Sequence, residues 1–155
     1  MGEESIHKHY KILQKKYGLP PFEKVDDAFE IGDIESEQFL LRQVVRKIVD
    51  QLEESINHLD AVLQPEAEIG EMRESNAFSE ARKKRIYELY KLFRFHYRAA
   101  HEALIEGREK ECAVFIIAYH GQLPSLRKEM LAVMHDLKEV WHREIEEKND
   151  LAYMG

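Results

Sequence analysis

The stretch Ser79–Gly107, SEARKKRIYELYKLFRFHYRAAHEALIEG, decides how the rest of the chain is read. Ser79 suits an N-cap, because its hydroxyl oxygen can accept a backbone N–H left without a partner where a helix begins. Gly107 suits the left-handed residue that stops one. Between them Ile86, Tyr90, Phe93, Tyr97, Ala100 and Leu104 recur at steps of three and four, which places them on one face of a helix. At about 1.5 Å per residue that helix is about 40 Å long. It also carries the chain's only dense basic run, Arg82-Lys83-Lys84-Arg85.

Outside this stretch the charge has the opposite sign. The 155 residues carry a formal −7, but Ser79 to Lys110 holds nine Lys/Arg and five Asp/Glu, so that segment is +4 and the remainder −11. One basic helix inside an acidic protein is not a general nucleic-acid or anionic-membrane binder. A chain of this length is expected to form one domain, 1–155, burying about 70% of its unfolded surface without a metal or disulfide. Its single cysteine, Cys112, cannot pair internally, and MGEESIHKHY lacks the apolar core of a signal peptide; both imply a reducing, cytoplasmic setting. The longest apolar run, Ala113–Tyr119, is far short of the roughly 20 residues that cross a bilayer. A soluble protein with no membrane partner is expected.

Hydrophobic spacing predicts helices at about 3–17, 36–63, 79–106, 108–120 and 125–147. The first has Ile6, Tyr10, Leu13 and Tyr17 on one face and is stopped by Gly18 and Pro20-Pro21. Ser36 opens the second, where Leu41, Val45, Ile48, Leu52, Leu59 and Val62 keep a near-heptad spacing until Pro65. Gln64 to Phe78 mixes Pro, Gly, Asn and Ser with charges and reads as a connection. CAVFIIAY, Cys112–Tyr119, is apolar on every side and is expected to be buried on every side. Gly121 and Pro124 break or kink it before the last helix, whose face is Leu126, Met130, Val133, Leu137 and Val140. Gly18 to Ile34 is acidic yet holds Phe22, Val25 and Phe29 at steps of three and four, so it should lie pinned on the bundle. Asp26, Asp27, Glu30 and Asp33 would then point outward, either beside the basic helix or apart from it. The fold class is all-α, an antiparallel bundle of four to five helices with a long ordered loop after the first.

GLPPFEKVDDAFEIGDIES followed by EQFLLRQVVRKI, then LQPE, KKRIYELYKLF and the closing AYMG, resemble a small all-helical family predicted from archaeal genomes. The resemblance spans most of the chain. It implies one domain and an intracellular site, and it brings no activity, ligand or catalytic residue.

Three constellations carry functional readings. Relative to Ile86, Lys84, Tyr87, Lys91, Arg94, Phe95 and Arg98 fall between roughly 80° and 180°, a basic stripe with aromatics among the charges. Its cations could neutralise phosphates and an exposed Phe95 could stack on an unpaired base. Glu80, Glu88 and Glu102 share that face, however, and can pair with Lys84, Lys91 and Arg98 as on any solvated helix. Leu92 and Phe95 lie away from the Ile86 stripe, so a second element of this chain, a partner or another copy must cover them. His135, Glu139 and His142 lie within about 60° on the last helix and could meet one ion, but their side is opposite the apolar stripe. Cys112, in the most apolar segment, reads as a structural thiol. The expected function is a non-catalytic cytoplasmic interaction or assembly module that needs no cofactor and contacts another protein or itself through Lys84, Tyr87, Lys91, Leu92, Arg94, Phe95 and Arg98. An RNA-contacting module on the same face is the alternative, and a metal-binding bundle the second.

Overall fold

Apolar spacing, local stop signals and a few long-range polar bonds account for the elements observed. The computed structural model describes the backbone of residues 2–154 and the side chains of 4–147. Its helices are α1 (Gly2–Tyr17), α2 (Phe22–Phe29), α3 (Leu40–Leu63), α4 (Ile69–Ala77), α5 (Glu80–Glu106) and α6 (Glu109–Met154), with a 3-10 turn at Ile31–Asp33. No strand occurs among the described residues. The chain divides into two compact units, Met1–Ile56 with Leu92–Pro124 and Asn57–Lys91 with Ser125–Gly155. Helices α3, α5 and α6 contribute to both.

In the first unit α1 buries Ile6, Tyr10 and Leu13. Gly18 ends it at φ +72°, its N–H on the Gln14 carbonyl at 2.8 Å. Two prolines then force extended chain, and the stretch expected as a pinned loop forms α2. Its eight residues are too few to hold a helix in water alone. Burial of Phe22, Val25 and Phe29 supplies about 1.5–3 kcal/mol each. Glu30 stops α2 in the left-handed region, φ 55°. Asp27, Glu30 and Asp33 are exposed as expected, but Asp26 is not part of that edge: its Oδ1 accepts the Gly32 N–H at 2.7 Å and shapes the turn.

Further sequence expectations are corrected. Helix α3 opens at Leu40 rather than Ser36, because Phe39 adopts φ 54° and the Gln43 amide donates to the Ser36 and Gln38 carbonyls at 2.8 and 2.6 Å. The connection Gln64–Phe78 contains α4. Residues 108–120 and 125–147 belong to one helix, α6, which runs through Gly121 and Pro124. Proline removes one ladder bond, and Leu123 and Leu126, buried on either side of it, favour keeping the helical path. With α2 and α4 added and the last two predicted helices merged, the described residues form six α-helices rather than four or five.

The last correction bears on function. The segment Cys112–Tyr119 is not buried on every side: Cys112, Ala113, Phe115, Ile116 and Tyr119 are buried, whereas Val114, Ile117 and Ala118 face solvent.

In the second unit Ser79 caps α5 as expected, its Oγ accepting the Arg82 N–H at 3.1 Å. Ile86 and Leu89 of α5, Leu59 and Val62 of α3, and Leu126, Val133 and Val140 of α6 are buried there. Helix α4 is attached differently. Its only buried side chain is Ser75, whose hydroxyl donates to the Val62 carbonyl, while Arg73 pairs with Glu144 and Glu74 accepts from the Trp141 indole at 2.8 Å.

Candidate interaction surface

Residues read as one contact face from the sequence fall into both units. Lys84, Tyr87 and Lys91 belong to the second, and all three are exposed. Lys91 is engaged within its own helix: its Nζ lies 2.9 Å from Glu88 Oε2 and 5.3 Å from the centroid of Tyr87. The hydrogen bond to Glu88 raises the Lys91 pKa. Glu80 approaches Lys83, at 4.0 Å, rather than Lys84. In the basic run Arg82 brings both Nε and Nη2 onto the single Oδ2 of Asp136, at 3.1 and 3.0 Å.

Leu92, Arg94, Phe95 and Arg98 belong to the first unit. The guanidinium groups of Arg94 and Arg98 each lie 5.5 Å from the Tyr97 ring centroid. Tyr97 is fixed in turn by donating its hydroxyl to Glu53 Oε1 at 2.9 Å, a bond that raises its pKa by holding the proton in place. Leu92 is 51% exposed and Phe95 68%. Both side chains are thus open to solvent among the described residues.

What lies beside Phe95 is the part of α6 that the sequence led one to bury. Helices α5 and α6 are joined across Gly107 and Arg108, and the Cys112 sulfur lies 3.9 Å from the Ala103 carbonyl oxygen. Farther from that turn, the rings of His96 and Tyr119 meet edge-on at 5.2 Å. Along this seam runs an open groove of about 250 Å³, walled by Phe95 and Ala99 on α5 and by Val114, Phe115 and Ala118 on α6. Val114 is 55% exposed and Ile117 38%, so the apolar strip continues along the outer face of α6. Glu102, Glu106 and Glu111 rim the groove near the turn.

The floor of the groove is continuous with the core. Phe95 meets His96 edge-on at 5.5 Å, and Tyr119 stacks on Phe115 at 5.8 Å and on Phe29 at 5.9 Å. A row of rings therefore leads from the surface to the buried face of α2. Burial lowers the His96 pKa, keeping the imidazole neutral near pH 7.

The other candidates gain no chemistry from their surroundings. His142 has Nδ1 3.7 Å from Glu139 and Nε2 3.5 Å from Glu146, whereas His135 and Glu139 line an open cleft with Arg82, Asp136 and Arg143. No group of three or more His, Cys, Asp or Glu among the described residues is placed to hold a metal ion. Cys112 is buried, and that burial raises its pKa, so it stays a thiol rather than a nucleophilic thiolate. No described helix is long and apolar enough to cross a membrane.

Leu92 and Phe95 were legible from the sequence because they fall off the Ile86 stripe. Val114, Ile117, Ala118 and Ala99 were missed. The available signal was the all-round apolarity of CAVFIIAY, which fits a helix buried on one side and offered to a partner on the other. No protein-family model, curated protein or solved structure matches the chain.

Proposed function

We propose that this protein is a non-catalytic interaction or assembly module of the cytoplasm, in which antiparallel packing of the first unit's helices presents the α5–α6 groove to a protein surface. The observation that carries this reading is a preformed apolar groove lined by exposed Phe95 and Val114, with Leu92 and Ile117 also exposed on the same two helices. A large aromatic ring left in water forgoes about 1.5–3 kcal/mol that docking would recover. Scattered exposed apolar residues need no explanation, but a row of them lining a groove marks an interaction site.

The nucleic-acid reading of α5 has less support. Phosphate binding needs cations free to approach a backbone, and Lys91 is engaged by Glu88 while Arg94 and Arg98 flank Tyr97. Carboxylates rim the groove beside the exposed ring.

A photo-activated cross-linking residue placed at Phe95, in cells producing the chain, tests the docking reading. Adducts of higher mass are expected at Phe95 and not at Glu54, an exposed α3 position of the same unit. Equal adduct yields at the two positions would overturn it.

A further inference from the structure

We infer that the occupant of the α5–α6 groove is a basic amphipathic helix of another protein, seated with its apolar side on Phe95 and with Lys or Arg over Glu102, Glu106 and Glu111. The inference rests on the docking reading above and states the chemistry of the partner. The sign of the charge selects it. All three carboxylates line the groove, and no described Lys or Arg does. His96 adds no positive charge near pH 7, because burial lowers its pKa. Arg98, one turn before Glu102, lies against the Tyr97 ring instead, and the neighbouring Glu109 is taken by Lys16 at 3.8 Å and by the Tyr17 hydroxyl at 2.8 Å. Glu102, Glu106 and Glu111 make no ion pair among the described residues.

The fold gains nothing from these charges where they stand. Glu102 and Glu106 are four residues apart, a spacing at which like charges destabilise a helix. Both lie near the end of α5, whose C-terminal carbonyls already carry partial negative charge and whose last turn holds no basic residue. Glu111, from the start of α6, adds a third carboxylate. A cationic partner relieves this repulsion, whereas nucleic acid, an acidic peptide or an anionic bilayer would increase it. The walls set the form of the partner. Their groove residues recur at steps of three and four, Phe95, Ala99, Glu102 and Glu106 on α5 and Val114 and Ala118 on α6. The backbone groups of both helices are committed to their own ladders, so the groove gives an extended segment no ladder to join, and a helix arrives with its own bonds complete. From Phe95 to Glu106 the seam runs about 17 Å, the length of about three helical turns. Small Ala99 and Ala118 leave room beside the Phe95 ring for the partner's apolar side chains, and the three carboxylates meet its charged end.

Fluorescence anisotropy of labelled peptides titrated with the full chain is the test. The probe is an amphipathic peptide of Leu, Ala and Lys, about 18 residues long so that it can hold a helix, with Leu along one side and Lys grouped toward one end. Its control carries Glu at every Lys position. The native chain should bind the Lys peptide about tenfold tighter than the Glu peptide or better, and less tightly as salt is raised. Phe95→Ser, at an exposed position, should weaken the Lys peptide by about tenfold. Glu102→Gln with Glu106→Gln should also weaken it while leaving the unfolding midpoint no lower than native, which separates a binding role from a structural one. Glu102→Lys, Glu106→Lys and Glu111→Lys together should reverse the preference between the peptides. Equal affinity for the two peptides, or binding unchanged in the Gln variant, would overturn the inference. A native chain that binds neither peptide but still gives Phe95-specific adducts in cells would overturn the cationic helix and leave the docking reading standing. Adducts made only of two copies of this chain would do the same. Loss of both peptide binding and Phe95-specific adducts would overturn both.

Discussion

The Ser75 hydroxyl donates to the Val62 carbonyl oxygen at 2.7 Å, joining the buried face of α4 to the last turn of α3. The last four carbonyls of a helix have no partner within it, and Ser75 supplies one from another element. Replacing Ser75 by Ala leaves that carbonyl buried and unsatisfied, a loss of about 1–3 kcal/mol. Urea unfolding should show a lower midpoint. A midpoint equal to that of the native chain would mean that α4 is not held by this bond.

The same bond explains why α4 was not legible in the sequence. A helix announces itself through apolar residues at steps of three and four, and α4 buries none: Ile69 and Met72 are exposed, and Ser75 is the one side chain inside. Polar bonds to Val62, Glu144 and Trp141 fix it, and their partners are 13 to 71 residues away. Helices α1, α3 and α5 were legible because they bury the stripes their spacing displays. The continuity of α6 was not, since Gly121 and Pro124 are local breakers and what favours the helix there is burial on both sides of them. Of the groove, the α5 wall could be read from Phe95, while the α6 wall depended on which side of an all-apolar helix the fold leaves uncovered.

The short α2 stands or falls with its aromatic anchors. Phe29 is 1% exposed and stacks on Tyr119, and Phe22 meets Tyr10 edge-on at 5.5 Å. Phe29→Ala and Phe22→Ala should each cost about 3–5 kcal/mol, since large-to-small changes leave a cavity as well as losing apolar burial. Phe29→Ala should also disturb the groove floor through Tyr119. Native-like unfolding midpoints for both would show that α2 is loosely held.

Gly18 and Gly107 share the same backbone, φ +72°, but not the same surroundings. A Cβ at Gly18 would meet nothing within 4 Å, whereas one at Gly107 would lie 2.8 Å from the Arg42 guanidinium. Gly18→Ala should therefore show the cost of left-handed backbone alone, about 1–2 kcal/mol. Gly107→Ala should cost more, and Arg42→Ala should remove the excess. Equal losses at the two glycines would show that Arg42 moves aside without penalty.

His96 should make stability depend on pH in a definite direction. Burial lowers its pKa below the imidazole's usual 6.5 in the folded chain, where it sits between the rings of Phe95 and Tyr119. Below that value, and down to the depressed folded pKa, the unfolded chain binds a proton that the folded chain does not. Stability then rises with pH through this window. The contribution of neutral His96 is complete above about pH 6.5 and is lost as pH falls beneath it. His96→Gln removes the titrating group while every other histidine and carboxylate remains. Unfolding free energy measured from pH 7.5 to 5 should fall more steeply in the native chain than in the variant. Parallel slopes would show that the imidazole is solvated enough to take its proton in the folded state.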